Sequence, residues 1–223
     1  MLKRTIRLGI LALASGIALY ALSSRLGYTM PISSIPSILC IGGCPDSQSL
    51  RQPPTGEGLL NGDQTIASVL GTETPNKQNI SILIEKAKYR LTVYYDRKPI
   101  KSYPMVLGSA PTGDKLREGD RKTPEGIFKI RDLYPHDSWS KFLWLDYPNE
   151  ASWRKHLEAK RSGKLDLSAT IGGEVGIHGV PEGNDGWIDA RQNWTWGCPS
   201  LKNKDIDELY GVVQAGTIVE IVP

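Results

Sequence analysis

Cysteine is scarce in this chain, three in 223 residues, and histidine is equally scarce at three. So few cysteines exclude a disulfide-dense scaffold. No CxxC or HExxH pair occurs, so zinc held by Cys198, His178, His156 or His136 would lack the close ligand pair such sites are built on. An excess of one charge is missing too: 27 Lys and Arg face 24 Asp and Glu, a net charge of +3, and Lys3, Arg4 and Arg7 supply much of it. That balance carries no nucleic-acid footprint. No internal repeat occurs, so solenoids and propellers are excluded. What remains is an ordinary globular composition, 39% apolar and 23% charged. A folded region of about 150 residues buries roughly 68–70% of its unfolded surface, so the core needs no metal, cofactor or disulfide staple.

The basic trio precedes an uncharged run from Leu8 to Ser24, the layout of an export signal. Ala21-Leu22-Ser23-Ser24-Arg25 is a poor cleavage site, and the run is near the short limit for a spanning helix. Residues 1–25 are therefore expected to be a signal-anchor in the membrane, with the rest of the chain outside the cytoplasm. Secretion after cleavage is the alternative. Cys40 and Cys44 could pair in an oxidising compartment. Residues 26–78, rich in Pro, Gly and Ser and broken by Pro53-Pro54-Thr55-Gly56 and Thr74-Pro75-Asn76, read as a linker.

From residue 79 the chain alternates. Ile80, Ile82 and Ile84 share one face of a strand; Tyr89, Leu91, Val93 and Tyr95 share a face of the next, opposite Arg90, Thr92 and Asp96. Pro99 to Leu107, Gly126 to Leu133, Phe142 to Tyr147 and Thr217 to Val222 read as further strands. Two stretches change period. Trp153, His156 and Leu157 suit a short helix, and Ile206, Leu209, Tyr210 and Val213 form a clearer stripe. Asn203 is placed to cap that second helix and Gly216 to end it. A mainly β domain, a sandwich or bent mixed sheet with two short helices, is expected over 79–223.

Cys198 has no nearby partner cysteine, and an odd thiol in an exported protein is a candidate reactive group. It would need a base, and His178 can serve. Attack on a carbonyl would give a thioester, with backbone N–H groups of Gly197 and Cys198 facing the oxyanion. The bland alternative is that both side chains are structural. Trp187, Trp194 and Trp196 could face a glycan or peptide, although core packing explains them as well, and Tyr134 and Trp139 read as core.

Sixteen residues separate His178 from Thr195-Trp196-Gly197-Cys198, and this block resembles the signature of the L,D-transpeptidase (YkuD) family. Three upstream stretches share the resemblance: Ile82 to Lys86 with Arg90 to Tyr94, Tyr103 to Gly108, and Gly119-Asp120-Arg121-Lys122-Thr123-Pro124-Glu125-Gly126. The resemblance implies Cys198 as nucleophile, His178 as base, the Gly179 carbonyl as orienter of the imidazole, and Thr195 and Gly197 as the turn before the nucleophile. Trp194, Trp196 and Ser200 stand beside this block as candidate substrate contacts. There are departures. Many members have His where Trp196 stands and a carboxylate-binding Arg where Ser200 stands; Pro199 replaces an aliphatic residue. The pattern is most similar to a short, YafK-like subgroup. The function implied is acyl transfer on peptidoglycan stem peptides, in wall cross-linking or protein attachment, with a wall-attached lipoprotein as a possible partner. The alternatives are hydrolysis of peptidoglycan or its lipoprotein link, and an inactive wall-binding module.

Overall fold

The computed structural model describes residues 2–25, 28–41, 43, 53–54, 56 and 58–223. Its helices are α1 (Leu2–Arg25), α2 (Ile35–Ile38), α3 (Ile66–Leu70), α4 (Glu150–Arg161), α5 (Gly186–Asp189) and α6 (Asn203–Val212). Its strands are β1 (Ile80–Glu85), β2 (Arg90–Tyr95), β3 (Lys98–Pro104), β4 (Gly126–His136), β5 (Ser140–Leu145), β6 (Gly176–His178) and β7 (Ile218–Val222). The expected mainly β domain is present as one curled sheet in the order β3-β2-β1-β7-β4-β5-β6. The β1-β7 pair is parallel and every other neighbouring pair antiparallel.

The bend comes from β4. Gly126 to Lys129 pair with β7, whereas Ile130 to His136 pair with β5, and the register shifts between Ile130 and Asp132. Such a bulge increases local twist and turns the strand. The apolar side chains Ile82, Ile84, Leu91, Val93, Phe128, Val219 and Ile221 then meet Ile206 and Leu209 of α6 in one core.

The alternation in β1 and β2 does not mark a wet face. Ser81, Glu85, Arg90 and Thr92 are all buried. Arg90 pairs with Glu85 at 2.7 Å and donates to the carbonyls of Pro54, Gly56 and Gly58. Described residues of the region read as linker therefore cover part of the sheet. Ser102 N donates to Leu60 O at 2.8 Å, Asn61 Nδ2 to Ile100 O at 2.8 Å, and Ile66 of α3 is 1% exposed in the core. This covers the open edge of β3, which would otherwise invite pairing.

Asn203 does not cap α6. The helix starts at Asn203 without a side-chain cap, and Asn203 Oδ1 accepts instead from Val180 N at 3.0 Å, fixing the loop after β6. Gly216 lies beyond the helix end at Val213, in the turn into β7, where its N–H meets Ile130 O. At the N-terminus α1 is helical with Leu11, Leu13, Leu19 and Leu22 exposed. Among the described residues no helix, α1 included, is long and apolar enough to cross a membrane. Gly9, Ser15 and Gly16 interrupt its apolar run, and the Tyr20 hydroxyl turns back to Met30 O at 2.8 Å. Cys40 is disulfide-bonded; Cys44 lies outside the described residues.

Candidate active site

β6 ends at His178, and the chain returns beside it. His178 N donates to Pro199 O at 3.2 Å and Leu201 N to His178 O at 2.9 Å, a parallel bridge of His178 to Ser200. On its far side the same stretch bridges Val106. This register places Cys198 opposite Gly176, whose N–H donates to the Cys198 sulfur at 3.4 Å. The Sγ–H in turn faces Glu174 O at 3.8 Å, from a residue with φ 56° on the loop entering β6. The sulfur and the imidazole line one open groove of about 740 Å³.

His178 Nδ1 lies 2.7 Å from Gly179 O. A carbonyl can only accept, so Nδ1 carries the proton and Nε2 is left with its lone pair. Gly179 has no room for a side chain: a Cβ there would stand 2.2 Å from Asn203 Oδ1 and 2.7 Å from Trp139 O. The ring stacks against Trp139 (centroids 4.5 Å apart) and, more loosely, Phe142 (5.8 Å), with Trp194 edge-on at 5.5 Å. Burial in this aromatic slot pushes the imidazole pKa down to about 4, which the Gly179 contact offsets only in part. Burial pushes the Cys198 thiol up to about 11, against the pull of the Gly176 N–H and of Lys115. At neutral pH the resting pair is thus thiol and imidazole, both uncharged.

Thr195 and Gly197 shape the turn. Thr195 Oγ1 donates to Cys198 O at 2.6 Å and accepts from Gly197 N at 3.2 Å. The Gly197 N–H expected to face an oxyanion is therefore spent inside the turn. Gly197 has φ 141°, and a Cβ there would stand 2.6 Å from Lys122 O, so glycine is required. Trp196 is 79% exposed at the groove rim. Ser200, expected among substrate contacts, is fully buried and outside the groove; its Oγ donates to Gly179 O at 3.0 Å. Trp187 packs with Val106, Val180 and Ile188, away from the sulfur.

Sequence reasoning missed Lys115, Glu174, Trp139, Phe142 and His136, all of which line the groove. Trp139 had been read as core. His156 is not near the thiol: it is buried on α4 with Nδ1 2.6 Å from Leu116 O. Among the described residues no group of three or more His, Cys, Asp or Glu side chains is placed to hold a metal.

A free thiol and an oriented imidazole thus line one groove. The chain belongs to the L,D-transpeptidase catalytic domain (YkuD) family, whose model matches residues 79–221. That family acts on peptidoglycan stem peptides. Among solved structures, the chain is similar to the helical cell shape determining protein Pgp2 from Campylobacter jejuni, with 27% identity, a TM-score of 0.46, and 64% of this chain and 46% of that chain covered. It is similar to Bd1075 from Bdellovibrio bacteriovorus, with 22% identity, a TM-score of 0.44, and 65% and 48% covered. An Enterococcus faecium L,D-transpeptidase shows 18% identity, a TM-score of 0.42, and 65% and 50% covered. The match spans about half the length of each of these chains. No curated protein matches.

Proposed function

We propose that this chain is a cysteine acyltransferase that joins peptidoglycan stem peptides through a thioester at Cys198. The observation that carries this reading is that Cys198 and His178 line one groove with Nδ1 of the imidazole fixed on the Gly179 carbonyl. Because the resting pair is neutral, the proton moves as the bond forms: Sγ attacks the carbonyl carbon of the donor stem while Nε2 takes the thiol proton. The tetrahedral oxyanion collapses, the C–N bond breaks, and the imidazolium returns its proton to the leaving amine. An acceptor amine then attacks the thioester, loses its proton to His178, and releases the thiol. Water in place of the amine gives hydrolysis with the same residues.

Lys3, Arg4 and Arg7 before the apolar part of α1 support export to the cell envelope, with α1 as the targeting element. Attachment of, or release from, a wall-bound lipoprotein is a finer version of the same chemistry, in keeping with the YafK-like pattern around Cys198. The test is incubation of the full chain with purified muropeptides and mass analysis of the products. Cross-linked dimers that vanish in Cys198→Ala are expected. Shortened monomers alone would assign hydrolysis. Products identical to those of Cys198→Ala would leave a wall-binding module.

A further inference from the structure

Lys115 is the one Lys or Arg among the described residues that line the groove, whose lining also includes Glu118 and Glu174. Its side chain is 5% exposed, and a Cβ placed on Gly197 would lie 3.8 Å from Nζ, so the ammonium sits against the residue that precedes the nucleophile. The loop holding it is tightly built. Nζ donates to Asp120 Oδ1 at 2.9 Å and Arg117 O at 3.2 Å, which leaves one of its three N–H groups. Asp120 is itself committed to the N–H groups of Leu116, Arg117 and Lys122, at 2.8, 3.0 and 3.1 Å, so it only partly neutralises the lysine. From α4, His156 holds Leu116 O and Lys155 holds Asp114 at 2.6 Å. Meanwhile Ser200, at the place where the family resemblance leads one to expect an arginine, is buried and faces Gly179.

We propose that Lys115 is the carboxylate-binding residue of this groove, its ammonium holding the free C-terminal carboxylate of the donor stem, one residue beyond the carbonyl that Cys198 attacks. This rests on the acyl-transfer reading and deepens it: the donor is a stem that ends at the residue expelled, and an internal link is a poor substrate.

The experiment compares two synthetic stems on the full chain, one ending in a free carboxylate and one in the carboxamide, with release of the terminal residue followed by mass. Wild type should lose about tenfold or more in kcat/KM on the carboxamide, chiefly through KM, because a charge-assisted contact is forfeited. Lys115→Met should treat the two stems alike, and Lys115→Arg should keep the preference. Equal turnover of both stems by the wild type, or a preference retained in folded Lys115→Met, overturns the assignment of Lys115 alone. Turnover of neither stem overturns the acyl-transfer reading and this inference with it. If Lys115→Met does not fold, the wild type and Lys115→Arg still decide.

Discussion

Ser200 and His178 share a single acceptor: the Gly179 carbonyl receives the Ser200 hydroxyl at 3.0 Å and the imidazole Nδ1 at 2.7 Å. The serine thus braces the carbonyl that sets the tautomer of the base, in the role a carboxylate plays in other nucleophilic sites. Ser200→Ala should lower kcat with little change in KM and cost about 1 kcal/mol of stability. Ser200→Arg should cost several kcal/mol, because a charge would be forced into a fully buried position. Denaturant unfolding and steady-state kinetics check both. A soluble, active Ser200→Arg would contradict this placement.

The depressed pKa of His178 makes stability depend on acid. Between its ordinary value of 6.5 and its folded value of about 4, the unfolded chain binds a proton that the folded chain refuses. The stabilisation is therefore complete above about pH 6.5 and is lost as pH falls toward 4. Relative to His178→Gln, the wild type should lose on the order of 3 kcal/mol between about pH 7 and pH 4. Urea unfolding of the two proteins across that range reads the difference, and parallel curves would contradict it.

The raised thiol pKa predicts slow alkylation at neutral pH. The rate of iodoacetamide modification at Cys198 should keep climbing from about pH 7 to about pH 10 without a plateau, following the thiolate fraction. A plateau already reached near neutrality would mean a preformed thiolate-imidazolium pair.

Much of the sheet was legible because its apolar residues keep a strict period of two, as Ile80, Ile82 and Ile84 do. The His178 and Cys198 pair was legible because a short parallel bridge brings together residues that also lie in one recognisable block. What was hidden arrives from elsewhere in the chain. Lys115 comes on a loop held by α4, and Trp139 and Phe142 come from the β4-β5 hairpin; nothing local marks them as neighbours of His178. Ser200 was expected among the substrate contacts, at the place of an arginine, yet the bridge to Val106 and His178 turns it inward. The burial of the polar face of β1 and β2 was hidden, because Arg90 and Glu85 give no sign in sequence that the carbonyls of Pro54, Gly56 and Gly58 will meet Arg90.

That covering segment has a measurable weight. A fragment beginning at residue 79 loses Ile66 from the core, together with the contacts of Glu208 to Ile66 N at 2.5 Å and of Leu60 to Ser102. Ile66 alone is worth roughly 1.5–3 kcal/mol. The 79–223 fragment should melt several degrees below a 58–223 fragment. Equal melting temperatures would show that the segment is a free linker after all.

The account stands on Cys198 acting as the acyl acceptor. Its most direct measurement is the intact mass of the full chain after incubation with a carbapenem, a strained acyl donor, under reducing conditions. One adduct per chain, mapped to Cys198 and absent from Cys198→Ala, is the expected result. An unmodified wild type, or an equal adduct on Cys198→Ala, would contradict it.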